Sequence, residues 1–278
     1  MRKTLLLTLF AIGAYFYSQT LPSLSHQQDV SAAVVVPLKV VSKENSERLL
    51  TRANFEDVTR GFYDKIGLAS YDLDYNVFRL GLIGYYSLER EGRLNDKNLV
   101  TIIDFSKPST EKRFYTIDLA EQKVRYHTYV AHGRNTGENL AKKFSNIPHS
   151  NQSSLGFYVT GETYVGSKGY SLRLDGMEKS FNGNIRRRAV VVHAAPYATK
   201  SWIKKYGRLG RSQGCPALPP HLSKEVIDTI KGKTAIFTYF PDEHYINASQ
   251  YLKLENLFEK LDKNAVPLPG KMLPEVTM

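Results

Sequence analysis

The chain has 278 residues, of which 42% are hydrophobic and 23% are charged. This composition is typical of a folded globular protein and excludes a fibrous or intrinsically disordered chain. A single cysteine excludes an intramolecular disulfide framework and any zinc site built from several thiolates. The formal net charge of +11 suits an anionic polymer or surface, although many exported proteins are simply basic. We expect no nucleic-acid partner, because no helix-turn-helix, zinc-finger or RNA-binding motif is present.

The first 25 residues have the features of a targeting segment. Arg2 and Lys3 precede an uncharged, mostly apolar run from Leu5 to Tyr17. A run of about 13 residues has the length of a signal-peptide core and is short for a membrane span. We predict a signal peptide over residues 1–25, with an uncleaved anchor as the alternative. The protein is therefore expected to be exported to the periplasm or cell envelope, or secreted.

Residues 26–98 are predicted to form a linker followed by a helical N-terminal extension. A helical pattern begins at Asn45 and places Phe55, Val58, Phe62 and Ile66 on one face, and Gly67 can end that helix. Asp74 is placed to cap a second helix that runs to about Glu91, where Gly92 provides a stop signal.

Residues 99–243 are predicted to form a mainly β domain, since apolar and β-branched runs alternate there with turn residues. A helix is expected over 222–231, and residues 244–278 are expected to form a C-terminal helix, over about 249–262, and a tail. The predicted strands are 99–105, 113–119, 123–130, 156–160, 171–174, 189–192 and 234–240.

The lone cysteine, Cys215, lies in a glycine-rich and basic loop over residues 207–218. Glycines in such a loop supply positive φ angles or close backbone approach. Arg208 and Arg211 lie within seven residues of the sulfur, and positive charge lowers a thiol pKa and favours the nucleophilic thiolate. Gly214 leaves room for a substrate carbonyl and frees backbone N–H groups for a developing oxyanion. The alternative is a buried structural cysteine.

A cysteine nucleophile needs a base, and His193 is the best candidate. It ends a β-branched run, and the two alanines that follow keep the approach open. The alternative for His193 is a hydrogen-bonded core histidine. His132 and His149 flank a loop-rich segment and are candidates for substrate contact. A metallopeptidase using these three histidines is disfavoured, because no His-x-His or His-Glu-x-x-His motif occurs. We predict no metal and no organic cofactor.

The sequence around these residues resembles a known family. His193 at a strand end, followed by Gly-Arg-Ser-x-Gly-Cys-Pro-Ala-Leu over residues 210–218, is similar to the L,D-transpeptidase catalytic domain of the YkuD type, and most similar to its murein L,D-transpeptidase subfamily. The resemblance covers about residues 99–240. Further similar segments are 104–109 (DFSKPS), 130–133 (VAHG), 154–162 (SLGFYVTGE) and 172–176 (LRLDG).

The resemblance implies a mainly β, β-sandwich-like catalytic domain that carries helical additions at both ends. It implies thiol acyl transfer on peptidoglycan stem peptides, with Cys215 attacking the carbonyl of the third residue of a tetrapeptide and D-Ala leaving. An amine of a second stem then accepts the acyl group and forms a 3→3 cross-link, or a free D-amino acid is exchanged in. His193 matches the position of the base, and the N–H groups of Gly214 and Cys215 match the oxyanion hole. Ser212 belongs to the same catalytic loop, where we expect it to shape the loop.

The chain departs from the commoner family pattern at three places. Gln213 replaces a histidine, Ala194 replaces a serine, and the polar residue that usually follows the cysteine is missing. Arg208 or Arg211 could bind a substrate carboxylate instead, because a guanidinium grips carboxylates with two parallel hydrogen bonds.

Two further residues complete the predicted substrate-binding set. They are His132 and Tyr170, the latter in the segment expected to cover the cleft. The arginine run at 186–188 either contacts an anionic envelope polymer or forms a solvated strand edge.

Two alternatives to transfer stay open. A hydrolytic L,D-carboxypeptidase or endopeptidase would use the same thiol and base with water as the acceptor. A non-catalytic cell-wall-binding protein would keep only the fold, and the presence of both Cys215 and His193 disfavours it. The sequence does not predict an oligomeric state.

Overall fold

The computed structural model describes residues 49–259 and 266–267. The predicted signal segment over 1–25, the linker over 26–43 and the last residues of the predicted C-terminal helix lie outside the described residues. Strand β1 (Leu49–Leu50) pairs antiparallel with β10 (Val266–Pro267). None of the helices within the described ranges is both long and apolar enough to span a membrane.

The remaining strands form one eight-stranded mixed sheet. They are β2 (Leu99–Asp104), β3 (Phe114–Asp118), β4 (Lys123–Thr128), β5 (Gly156–Gly166), β6 (Gly169–Gly176), β7 (Val191–Ala194), β8 (Ala217–Leu218) and β9 (Ala235–Tyr239). Their spatial order is β4-β3-β2-β9-β5-β6-β7-β8. The pairs β2–β9 and β7–β8 are parallel, and the other neighbours are antiparallel. The predicted mainly β fold is confirmed.

Two helices near the start of the described region cover one face of the sheet. Helix α1 (Phe55–Ile66) ends at Gly67, which adopts the left-handed conformation with φ of 70°. Helix α2 (Tyr75–Arg90) begins where the Asp74 carboxylate accepts hydrogen bonds from two backbone N–H groups of its first turn. Helix α2 matches its predicted position, and α1 ends at Gly67 as predicted. Helix α1 begins at Phe55 rather than at the predicted Asn45, because residues 49–50 form β1 and a turn precedes the helix.

Small residues let α2 lie close to the sheet. A Cβ at Gly84 would lie 2.0 Å from the ring of Phe157, and a Cβ at Gly81 would lie 3.0 Å from Ile102. The buried cluster below α2 includes these strand residues and Phe237, whose ring stacks on Phe157 with centroids 4.4 Å apart. The opposite face of the sheet packs against α4 (Pro220–Ile230), whose Val226, Ile227 and Ile230 are buried. A short helix, α3 (Lys200–Tyr206), lies between β7 and β8 in the chain.

The C-terminal helix differs from its prediction. A 3-10 turn at Gln250–Leu252 and a separate helix α6 (Leu254–Glu259) replace one continuous helix, because Lys253 between them has an extended backbone. Helices α3 and α5 (Glu243–Ala248) were not predicted. Helix α3 has only 7 residues and buries none of them, so its sequence is too short for apolar periodicity to indicate a helix. The strands β5 and β6 are longer than predicted and form one hairpin that turns at residues 166–169.

Candidate active site

Cys215 and His193 are brought together by the parallel pair β7–β8. In this register His193 pairs with Ala217 and Ala194 with Leu218, so Cys215 lies just before β8 and beside the start of β7. The N–H of Val191 donates a hydrogen bond to the Cys215 Sγ at 3.5 Å. Cys215 is half-buried, whereas His193 is only 2% exposed. The nucleophile and base predicted from the sequence therefore lie on adjacent strand ends.

A backbone hydrogen bond orients the imidazole of His193. Its Nδ1 lies 2.7 Å from the carbonyl oxygen of Ala194, which can only accept, so Nδ1 carries the proton and Nε2 is the free acceptor. Burial lowers the pKa of His193, and the Ala194 carbonyl partly opposes that change. The ring is therefore neutral near pH 7 and able to take a proton at Nε2. The alanine at 194, where the family pattern has serine, supplies the orienting group from its backbone.

The loop before Cys215 is held by Ser212 and requires glycine at 214. Gly214 has a φ of 119°, and a Cβ there would lie 2.7 Å from the carbonyl oxygen of Gln152. The Ser212 hydroxyl donates to the Cys215 carbonyl oxygen at 2.7 Å and accepts from the Gly214 N–H at 3.0 Å. Ser212 thus positions the cysteine through the backbone, in agreement with the loop-shaping role expected for it.

The hydrogen bond from the Gly214 N–H to the Ser212 hydroxyl corrects the predicted oxyanion hole. The Gly214 N–H is occupied by the Ser212 hydroxyl, so it does not face the space in front of the sulfur. The Cys215 N–H has no hydrogen-bond acceptor among the residues that the structure describes. The Cys215 N–H is therefore a backbone donor beside the sulfur that is available to a developing oxyanion.

The predicted electrostatic activation of the thiol by Arg208 and Arg211 is wrong. Both guanidinium groups pair with Glu138, with Arg208 Nε 2.9 Å from Oε2, and Arg211 also donates to the backbone oxygens of Arg134 and Gly137. Neither arginine contributes to the shift in the thiol pKa. Their predicted contact with a substrate carboxylate would have to compete with Glu138.

Burial instead raises the pKa of the Cys215 thiol above its ordinary value. The Val191 N–H and the positive charges of Arg188 and Lys168 lower that pKa in part. Lys168 lies in the turn between β5 and β6, and its charge also acts on His193. The resting site therefore holds a neutral thiol beside a neutral imidazole.

Arg188 is a site residue that the sequence did not reveal. Its guanidinium is half-buried and donates to the backbone oxygens of Ser145 and Gln152 and to the hydroxyls of Ser150 and Ser154. No ion pair of Arg188 occurs in the described part of the chain. A Cβ at Gly214 would lie 3.3 Å from Arg188 Nη2, so the guanidinium lies beside the loop that carries Cys215 and its charge lowers the pKa of the thiol in part. The arginine run was predicted as a polymer contact or a strand edge, and only its exposed neighbour Arg187 fits that description.

His132 was predicted to contact substrate, but its side chain is buried and both ring nitrogens have partners within the protein. It is 1% exposed, its Nδ1 lies 2.8 Å from Arg113 Nη2, and its Nε2 lies 3.2 Å from the Gly137 carbonyl oxygen. Burial and the charge of Arg113 lower the pKa of His132 to about 3. The fully buried Arg113 also donates to the carbonyl oxygens of Lys107 and Val130. The two residues fix the strand end that leads to Gly133, which is bridged to Ser212.

Tyr170 also lies away from the predicted cleft. Its neighbour Ser171 pairs with His193, and adjacent residues of a strand point to opposite faces. The Tyr170 hydroxyl donates to Asp228 on α4 at 2.7 Å, on the face opposite His193. Tyr170 therefore joins the sheet to α4. No group of three or more histidine, cysteine, aspartate or glutamate side chains placed to hold a metal occurs within the described ranges.

Comparison with known proteins agrees with this arrangement. The family model described as the L,D-transpeptidase catalytic domain matches residues 69–239. The chain belongs to this family. The match confirms the resemblance seen in the sequence and runs from the turn before α2 to the end of β9. No curated protein sequence matches the chain significantly.

Solved structures of L,D-transpeptidases are among the chains that match in structure. An L,D-transpeptidase from Mycobacterium smegmatis is 14% identical with a TM-score of 0.33, and the match covers 51% of this chain and 59% of that one. L,D-transpeptidase 1 from Mycobacterium tuberculosis is 12% identical with a TM-score of 0.30, covering 51% and 62%. The helical cell shape determining protein Pgp2 from Campylobacter jejuni is 16% identical with a TM-score of 0.34, covering 57% of each chain. This L,D-transpeptidase catalytic domain thus aligns with less than two thirds of each of these chains.

Proposed function

We propose that the protein is a cysteine acyltransferase that acts on peptidoglycan stem peptides. The observation that carries the proposal is the β7–β8 register, which places Cys215 two residues before Ala217, the partner of His193. Among the described residues no hydrogen-bond donor occupies the Nε2 of that imidazole. The unpaired Cys215 N–H adds a donor for negative charge at the attacked carbonyl. Membership of the L,D-transpeptidase catalytic-domain family supports the choice of substrate.

The first half-reaction forms a thioester. The Cys215 thiol transfers its proton to His193 Nε2 while the sulfur attacks the carbonyl carbon of the third residue of a tetrapeptide stem. The Cys215 N–H then donates to the resulting oxyanion. When the C–N bond to D-Ala breaks, His193 returns the proton to the leaving amine. The products are free D-Ala and an acyl-enzyme in which Cys215 carries the tripeptide.

The second half-reaction releases the acyl group to an acceptor. An amine of a second stem attacks the thioester carbonyl and gives its proton to His193. The C–S bond breaks, and the sulfur recovers its proton from the imidazole. The product is a 3→3 cross-link. A free D-amino acid as acceptor would give an exchanged tetrapeptide, and water would give a tripeptide.

The raised thiol pKa fits this order of events. Because the thiol and the imidazole are both neutral, the resting enzyme holds no unpaired buried charge at these two residues. The thiolate forms only as the proton moves to His193, when the substrate carbonyl is in place to accept the sulfur. Arg188 and Lys168 then face developing negative charge on the sulfur.

The test uses the protein without residues 1–25, incubated with purified disaccharide-tetrapeptide and analysed by mass spectrometry. We expect a cross-linked dimer with the unaltered sequence, and none with Cys215→Ala or His193→Ala. His221→Ala is the matched control, because that histidine is exposed on α4. Tripeptide alone would establish the thiol chemistry and identify a carboxypeptidase. A folded Cys215→Ala protein with full activity would refute the proposal.

We further propose that the protein works outside the cytoplasm, in the periplasm or cell envelope. The charged start and apolar core of residues 1–25 support this location. Cell fractionation, with N-terminal sequencing of the recovered protein, tests it. A cytoplasmic protein that keeps its first residues would contradict both the location and the signal peptide.

A further inference from the structure

A row of three aromatic side chains leads away from the catalytic loop. The ring centroids of Tyr197 and Trp202 are 6.3 Å apart in an edge contact, and those of Trp202 and Tyr206 are 4.5 Å apart with a 39° tilt. Trp202 and Tyr206 are four residues apart on α3, so they lie on one face of that helix. We call these three residues the aromatic row.

The inner end of the aromatic row lies at the loop that carries the nucleophile. Tyr197 packs so closely on the loop before Cys215 that a Cβ at Gly210 would lie 2.3 Å from its side chain. The Gly210 N–H also donates to the Tyr197 carbonyl oxygen at 2.9 Å. The Cys215 charge is close enough to contribute, after burial, to a Tyr197 pKa of about 12. The row therefore begins at Gly210, in the loop that carries Cys215.

The outer end of the aromatic row is exposed and basic. The Tyr206 side chain is 50% exposed, and Lys205 Nζ lies 5.2 Å from the centroid of its ring. Lys200 and Lys204 are also exposed on α3, and the ion pairs of the described chain include none of these three lysines. Ile203 of α3 and Tyr197 pack against a buried cluster, whereas Trp202 and Tyr206 do not, so core packing does not explain these two aromatic side chains.

We propose that the aromatic row binds the glycan strand that carries the stem peptides. Sugar rings present apolar C–H faces that stack on aromatic side chains, and the lysines complement the carboxylates of the attached stems. Because the row runs from the surface to the loop that carries Cys215, a strand lying along it would deliver a stem to the sulfur. The identity of the polymer rests on the function proposed above, whereas the stacking surface rests on the row itself.

The test measures binding without catalysis. Protein carrying Cys215→Ala is titrated by calorimetry with peptidoglycan glycan strands from which the stem peptides have been removed. We expect Tyr206→Ala to weaken this binding by about five- to tenfold, the loss of roughly one aromatic contact. Tyr75→Ala is the matched control, since that tyrosine is half-exposed at the start of α2 and lies outside the row. It should bind as tightly as the unaltered protein.

Two results would overturn the proposal. One is equal affinity of the Tyr206→Ala and Tyr75→Ala proteins for the strands, or no binding by any of them. The other is binding that is lost in Lys205→Gln but kept in Tyr206→Ala, which indicates an anionic polymer held by charge alone. The two proposals can fail separately. Strand binding without turnover would refute the proposed acyl transfer and support glycan binding by the aromatic row. Turnover without strand binding would support the acyl transfer and refute glycan binding by the aromatic row.

Discussion

Replacing Gly214 by alanine should damage the catalytic loop in two separable ways. At φ of 119° a side chain strains the backbone, which costs about 1–3 kcal/mol of stability. The new Cβ would also meet the Gln152 carbonyl oxygen at 2.7 Å and Arg188 Nη2 at 3.3 Å. Since Gln152 accepts a hydrogen bond from the Arg188 guanidinium, displacing it weakens a charged hydrogen bond worth about 1.5–3 kcal/mol.

We therefore expect Gly214→Ala to lower the free energy of unfolding by about 3 kcal/mol. The turnover should fall about a hundredfold, because a shift of about 1 Å in a reacting group has that effect. Urea denaturation gives the first quantity and the disaccharide-tetrapeptide assay gives the second. Turnover is measured without urea, at a temperature where the variant is folded, and the urea titration spans the whole unfolding transition.

Gly92→Ala measures the cost of backbone strain at a positive φ without a steric clash. Gly92 has a φ of 66°, and a Cβ there would meet nothing within 4 Å. It follows α2, outside the catalytic loop, so its replacement should cost about 1–2 kcal/mol and leave turnover unchanged. The reasoning is refuted if Gly214→Ala costs no more stability than Gly92→Ala and keeps full activity.

Three further outcomes follow from the same structure. Arg188→Gln removes a positive charge near the sulfur, so it should raise the thiol pKa and slow iodoacetamide alkylation at pH 8 by up to about tenfold. The acid limb of kcat/KM against pH should lie below 6.5, because burial lowers the pKa of His193 and the base works only when neutral. Gly84→Ala should cost about 1–3 kcal/mol in urea denaturation, since its Cβ would lie 2.0 Å from the Phe157 ring.

Each of these has a control or a contradicting result. Arg187→Gln changes an exposed arginine of the same run and should leave the alkylation rate unaltered. A slower rate in both variants would mean that net charge, not the placement of Arg188, governs the thiol. An acid limb above 6.5 would contradict a buried, neutral His193. Gly61→Ala, on α1 with open space around it, should stabilise the protein by about 0.5–1 kcal/mol.

Local signals in the sequence were sufficient for several elements. Asp74 and Gly92 bracket α2 because a capping carboxylate and a terminal glycine act on residues within one turn. The hairpin of β3 and β4 was equally visible, since its turn and both flanks lie close together in the chain. The single predicted C-terminal helix was wrong because nothing in the residue type of Lys253 reveals that its backbone is extended there.

The candidate site shows where local reasoning stops. Arg208 and Arg211 are near Cys215 in sequence, yet Glu138 neutralises them across a gap of about 70 residues. Arg188, further away along the chain, is the charge that reaches the sulfur. Proximity along the chain therefore misplaced the charges around the sulfur.

The assignment of His132 failed for a related reason. A histidine in a loop-rich segment is equally compatible with substrate contact and with burial. The difference here is Arg113, a buried cation that lies on a different strand end and hydrogen-bonds the imidazole. Such a partner is visible only once the sheet has formed. Composition and spacing cannot supply it.

The position of β9 has a consequence for how the protein is made. It is the last strand of the eight-stranded sheet along the chain, yet it lies in the middle, with β2 on one side and β5 on the other. Until β9 is made, the earlier strands form two groups that are not hydrogen-bonded to each other, β2 to β4 and β5 to β8. The second group holds the thiol and the imidazole. Long-range closure of this kind is slow, because a large loop must be ordered before any contact stabilises it. A chain interrupted after β8 and before β9, between residues 218 and 235, would therefore contain every proposed reactive group and still lack an assembled catalytic centre.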